Sequence, residues 1–92
     1  MRDAKGPPQE TGRRLVTCER GELHELRVTM QEYQSHQYLD IRLWERGVRG
    51  DMWPAKGKGI TVKLRELLPV YHAIGDAIRL ANGEELPEPE LP

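Results

Sequence analysis

Arginines, lysines and aromatic rings alternate with aliphatic residues through the middle of this chain, a spacing suited to a flat, anionic ligand. In Tyr38-Leu39-Asp40-Ile41-Arg42-Leu43-Trp44, the residues Leu39, Ile41 and Leu43 point one way. Tyr38, Asp40, Arg42 and Trp44 point the other way, as successive side chains of a half-buried strand do. The preceding run places Leu26, Val28 and Met30 on one face and Arg27, Thr29, Gln31 and Tyr33 on the other. If the two runs pair, Arg27, Tyr33, Tyr38, Arg42 and Trp44 share one polar face. Lys56 and Lys58 sit on a glycine-flanked loop, and Trp53 adds another ring nearby. Nucleobases stack on such rings for about 1–3 kcal/mol each, while Lys and Arg hold phosphates in a salt-dependent way. A bland reading stands beside this one: Trp44 and Trp53 fill a dimer interface or the rim of the core, as large rings commonly do.

No enzyme constellation stands out. His24, His36 and His72 are scattered, and with the single Cys18 they form no CxxC, HxxxH or comparable metal spacing. Neither a Ser/His/Asp nor a Cys/His arrangement is suggested by local motifs. Gly57-Lys58-Gly59 lacks the full spacing of a phosphate loop. Asp40 and Arg42, two apart on one face, read as an ion pair that holds the arginine in place.

The elements that must position these residues follow from the patterning. Arg13–Arg20, with Leu15, Val16 and Cys18, reads as a short edge strand, and Gly21-Glu22 as a turn. Leu23–Tyr33 and Gln37–Glu45 are strands joined by the short polar link Gln34-Ser35-His36, an antiparallel hairpin. Arg46–Asp51 is a loop, Met52-Trp53-Pro54 a short strand or bulge, and Ala55–Gly59 a flexible basic loop before a last strand at Ile60–Leu64. The period then becomes helical, with Val70, Ile74, Ala77, Ile78 and Ala81 on one stripe. Pro69 suits a first helical turn, which predicts a start near Leu68 after a turn at Arg65–Leu67; Asn82-Gly83 is a stop. Strands followed by one helix make an α+β layout. Gly75, with Ala73 and Ala77, permits close approach of a second helix, so Val70, Ile74, Ala77 and Ile78 are the expected dimer contacts.

Ninety-two residues suit one domain. Residues 1–12 and 82–92 are rich in Pro, Gly and charge and read as solvated tails, leaving a domain at 13–81. A core that small is marginal without support, and one cysteine offers no internal disulfide. Oligomerisation is the remaining device. The lone cysteine, the lack of an apolar run long enough to cross a bilayer and the lack of a signal-peptide pattern predict a cytoplasmic protein with no membrane partner. Net charge is −1, yet Arg13–Lys63 holds ten Lys/Arg against seven Asp/Glu, and the segment from Asn82 carries four glutamates. The domain is thus mildly basic and the tail acidic, far from the strongly basic signature of a duplex binder.

Taken in order, Leu26–Tyr33, Tyr38–Arg42, Met52-Trp53-Pro54 and Lys56–Val62 resemble the positive cofactor 4 family of transcriptional coactivators, in its short bacterial or phage form. The resemblance covers about Leu23 to Leu80, and Asp40-Ile41-Arg42 and Pro54–Ile60 are its most specific parts. It implies a curved four-stranded antiparallel sheet followed by one helix, a Whirly-like fold paired through its helices into a homodimer. It further implies binding of single-stranded or melted DNA along the sheet, with little sequence preference. By position, Tyr33 matches a stacking aromatic, Arg42 a backbone-contacting arginine and Lys58 a basic residue before the last strand. Animal members carry an aromatic pair after the Ile-Arg segment; here Trp44 holds the first position and Glu45 the second, so Trp44 serves in its place or that contact is missing.

The expectation is a non-catalytic homodimer, without cofactor or metal, that binds single-stranded DNA in transcription regulation, replication or repair. Tyr33 and Trp44 would stack on bases, Arg27, Arg42, Lys56 and Lys58 would neutralise phosphates, and Trp53 would be a further contact. The transcription machinery is an additional expected partner. An RNA-binding regulator on the same platform and a protein-interaction module with buried rings are the alternatives.

Overall fold

The computed structural model describes residues 9–87. Four strands, β1 (Arg13–Arg20), β2 (His24–Tyr33), β3 (His36–Arg46) and β4 (Met52–Lys63), form one antiparallel sheet in the order β1-β2-β3-β4. A single helix, α1 (Leu64–Ala81), follows directly. The α+β layout and the antiparallel hairpin agree with the sequence pattern, but the link is one residue shorter than expected, because His36 belongs to β3 and pairs with Tyr33. Arg27 lies opposite Arg42, Thr29 opposite Asp40 and Gln31 opposite Tyr38, so the polar positions of β2 and β3 share one face. The hairpin closes with Tyr33 paired to His36, leaving Gln34 and Ser35 as a two-residue turn at φ 51° and 67°. Both positive angles match the type I′ turn that follows the twist of paired strands.

Two boundaries differ from the sequence expectation. The basic segment Ala55–Gly59 is part of β4 and not a separate loop. Trp44 pairs with Pro54 while Arg42 pairs with Gly59, so the extra residues of β4 bulge out of the ladder between those pairs. Pairing on both sides of the insertion keeps it in the strand. The helix begins at Leu64, one turn earlier than Pro69 suggests. The backbone N–H of Lys63 donates to Glu66 Oε1 at 2.9 Å, and this contact fixes the start. At the other end Gly83 N–H donates to Leu80 O and Glu84 N–H to Arg79 O, both at 3.0 Å. These are the paired bonds of a Schellman stop at Asn82-Gly83.

The single chain does not close a core of its own. Among the described residues only Trp44, Ala55 and Val62 are buried apolar side chains. No residue of α1 is buried, and Leu68, Tyr71, Ile74 and Ile78 are each more than half exposed. The radius of gyration is 17.0 Å, against about 12 Å for a compact chain of this length. The helix therefore projects beyond the sheet, and the apolar face carrying Leu26, Val28, Leu39 and Ile41 stays half-buried. Among the described residues no helix is long and apolar enough to cross a membrane. The parts of the expected tails at 1–8 and 88–92 lie outside the described residues.

Candidate nucleic-acid interface

The same acid-x-arginine pattern occurs on both central strands: Glu25-x-Arg27 on β2 and Asp40-x-Arg42 on β3. Two residues apart on a strand means one face, so each carboxylate can reach its own arginine. Arg27 Nε donates to Glu25 Oε2 at 2.6 Å. Arg42 makes a two-pronged contact with Asp40, Nε to Oδ2 at 3.2 Å and Nη2 to Oδ1 at 3.0 Å. That contact raises the Arg42 pKa above its ordinary value, chiefly through the hydrogen bond to Asp40. Because the strands are antiparallel, the carboxylates lie on opposite sides of the Arg27–Arg42 pair. The two guanidinium groups are drawn apart, which relieves the repulsion expected of like charges directly across a ladder.

Arg27 swings over the ring of Trp44, its guanidinium carbon 4.0 Å from the centroid. Cation–π contact and desolvation act together there, since Arg27 and Trp44 are both only 8 % exposed. Trp44 thus forms the floor of the polar face with a guanidinium on top, and the ring surface beneath Arg27 is not open to a base. Tyr33 is the open ring on this face, at 65 % exposure beside the hairpin turn.

Trp53 does not join the group. Its partner across the ladder is Glu45, which belongs with Leu39, Ile41 and Leu43 on the opposite face. It packs near Gly47, where an added Cβ would lie 3.1 Å from the indole nitrogen. The bulge in β4 carries Lys56 and Lys58, both exposed and neither ion-paired among the described residues. Gly59 is the close approach on this face: a Cβ there would lie 2.5 Å from the guanidinium carbon of Arg42. Glycine at this position lets the arginine lie across β4 while it holds Asp40.

Sequence reasoning missed the residues at the β1 side. Arg14 pairs across the ladder with Thr29 and shares its face. Glu10 and Thr11, expected in the N-terminal tail, lie against the sheet. Glu10 accepts from Arg14 Nε at 2.9 and 3.1 Å and from Thr29 Oγ1 at 3.1 Å. These contacts, the Arg14 hydrogen bond first, hold the Glu10 carboxyl below its ordinary pKa, and the same bond raises that of Arg14. The repeated acid-x-arginine pattern was a signal for Glu25; none marked Glu10, which lies seventeen or more positions from Arg27 and Thr29 in sequence.

A groove of about 340 Å³ runs over this face, bordered by Glu10, Thr29, Tyr38, Asp40, Arg42 and Trp44. It is followed toward the hairpin by an open cleft of about 620 Å³ between His36, Tyr38, Lys63 and Arg65. The two cavities share Tyr38, and rings (Tyr38, Trp44), guanidinium groups (Arg42, Arg65) and an ammonium group (Lys63) border them, chemistry suited to stacking and to anion contacts. Among the described residues no group of three His, Cys, Asp or Glu is placed to hold a metal ion.

The fold has a known counterpart. The crystal structure of BPSL1147, a PC4 homolog from Burkholderia pseudomallei K96243, superposes in its orthorhombic form with a TM-score of 0.67 at 22% identity, over 78% of this chain and 96% of that one. The tetragonal form gives a TM-score of 0.66 at 23% identity, over 75% of this chain and 100% of that one. No family model and no curated protein matches the sequence. The four-stranded sheet with one C-terminal helix is therefore the fold of that PC4 homolog.

Proposed function

We propose that the protein binds single-stranded DNA without catalysis and with little sequence preference, along the polar face of the sheet and as a homodimer. The observation that carries this reading is the polar face of β2 and β3: the clamped Arg42 borders its groove beside Tyr38 and Trp44, the open Tyr33 stands at its hairpin end, and the exposed Lys56 and Lys58 precede Gly59, which pairs with Arg42. Tyr33 stacks on a base, and Arg42, Lys56 and Lys58 meet phosphates. Trp44 contributes from beneath by holding Arg27, and Trp53 has no part in the strand contact. The resemblance to the positive cofactor 4 family and the shared fold support the same reading.

Dimerisation through α1 is supported by the unfinished core. Leu64, Leu68, Tyr71, Ile74 and Ile78 make one exposed apolar stripe, with Val70 and Ala77 on its flanks. Ile60 on β4 is also 61 % exposed. A second copy laying the same stripe against this one covers both surfaces by a two-fold arrangement. The role that follows is the handling of exposed strands in transcription, replication or repair, in the cytoplasm and close to the nucleoid, with the transcription machinery as a neighbour.

Fluorescence polarisation with a labelled oligothymidine at two salt concentrations tests the reading. Binding tighter than to the matched duplex and weakening with salt is the expected result. Equal affinity for duplex, or no salt dependence, refutes it.

A further inference from the structure

We propose that Arg14, Arg27 and Thr29 form a phosphate-binding subsite at the β1–β2 side of the polar face, occupied by the Glu10 carboxylate of the same chain until a nucleic-acid strand displaces it. The inference rests on the strand-binding reading above and assigns it a further site and a built-in competitor.

The donors around Glu10 are those that a phosphodiester takes. Arg14 presents its fork, with Nε at 2.9 Å from one carboxylate oxygen. Thr29 donates its hydroxyl at 3.1 Å, and Arg27 Nη1 stands 3.5 Å away as a second cation. A planar fork, a hydroxyl and a second guanidinium around two oxygens suit a phosphate's unbridged oxygens as well as a carboxylate. Thr29 is 2 % exposed, and its hydroxyl is aimed at the Glu10 carboxylate.

The segment bearing Glu10 is held as a strap. Thr11 Oγ1 donates to Gln31 Oε1 at 3.0 Å, and Gln31 Nε2 donates to the Thr11 carbonyl at 2.8 Å. Gly12 makes the turn into β1 at φ +80°, where a Cβ would collide with the Met30 carbonyl. Gln9, Glu10 and Thr11 thereby border the same groove as Asp40, Arg42 and Trp44. Because the carboxylate is tethered, it competes at a high effective concentration against any single anion. A strand that engages Arg42 and the β4 lysines at the same time gains enough contacts to displace it. The strap therefore raises the threshold for mononucleotides and favours multi-phosphate strands.

Glu10→Gln and Gly12→Ala are compared with the wild type by oligothymidine polarisation over a salt series, with thermal melts to check folding. Glu10→Gln removes the competing charge, and Gly12→Ala undocks the strap while keeping it. Both are expected to tighten binding by about threefold to tenfold. In Glu10→Gln the slope of log affinity against log salt is expected to steepen by about one counterion. Adding Arg14→Ala to Glu10→Gln should reverse both effects. Wild-type binding with unchanged or weaker binding by folded Glu10→Gln overturns the subsite while leaving the strand-binding reading intact. No binding by wild type and variants alike overturns the strand-binding reading itself.

Discussion

Arg27 stands with its guanidinium carbon 4.0 Å above the Trp44 ring while its Nε is bonded to Glu25 at 2.6 Å. A single side chain thus roofs the buried indole of the sheet and joins it to a carboxylate, although Arg27 and Trp44 lie on different strands. Its neighbour across the ladder, Arg42, has no ring beneath it and stays 32 % exposed. Two directly opposed arginines therefore play different parts. Arg27 is packed into the floor, and Arg42 faces the groove.

Arg27→Ala should destabilise the protein by about 2–4 kcal/mol, because Glu25 is left part-buried without its partner and the cation–π contact is lost. Urea denaturation reads the loss of stability. Trp44 emission should shift to the red in the folded state as the ring is uncovered. Arg27→Lys should recover the charge but not the fork, and so only part of the stability.

Gly59→Ala should leave the fold within about 1 kcal/mol of wild type, since the flexible end of Arg42 is able to move aside. The new methyl group takes the place of the guanidinium, which lies 2.5 Å from the added carbon, and disrupts its grip on Asp40. Oligothymidine affinity should fall about as far as in Arg42→Ala. The double variant should be no worse than Arg42→Ala alone, and an additive loss argues against this contact.

Acid should release the Glu10 strap. Its carboxyl is held below the ordinary value of 4.5, first by the Arg14 hydrogen bond. A depressed folded-state pKa stabilises above the unfolded value and is lost as pH falls through the folded one. Wild type should therefore be more stable than Glu10→Gln at pH 7, and the difference should vanish below the lowered pKa. Paired urea titrations over a pH series from 7 downward measure it, with the difference shrinking as the acid end is approached.

Ile74→Asp should separate the proposed dimer. The helix buries nothing within the protomer, so a charge in mid-stripe costs little there and much against a second copy. Sedimentation should give about half the wild-type mass, with a lower melting temperature. An unchanged mass would place the interface elsewhere.

Arg42→Ala with Lys58→Ala should weaken binding to all oligonucleotide sequences alike and flatten the salt dependence by about two counterions. A loss confined to particular sequences would point instead to base readout.

Much of the fold was legible because strand and helix periods are local. Leu39, Ile41 and Leu43 against Asp40, Arg42 and Trp44 gave β3 its two faces, and Asn82-Gly83 marked the end of α1. The start of α1 was misplaced because Pro69 is a strong local signal, whereas the Lys63–Glu66 contact that sets it is weak in sequence. Tyr33, Arg42 and the two lysines could be grouped from alternation and spacing. Trp53 could not be assigned to a face, because the β4 bulge breaks the period between it and Ile60.

By itself the sequence determined the order of elements, the antiparallel hairpin, the Asp40–Arg42 pair and the polar face of β2 and β3. Each depends on residues within a few positions of one another or on a strict period of two. Only the tertiary structure decided that Trp44 lies under Arg27, that Trp53 faces away, and that Glu10 reaches Arg14 and Thr29. Those relations depend on register across three strands and on the path of a segment with no periodicity, where chain distance carries no information about distance in space.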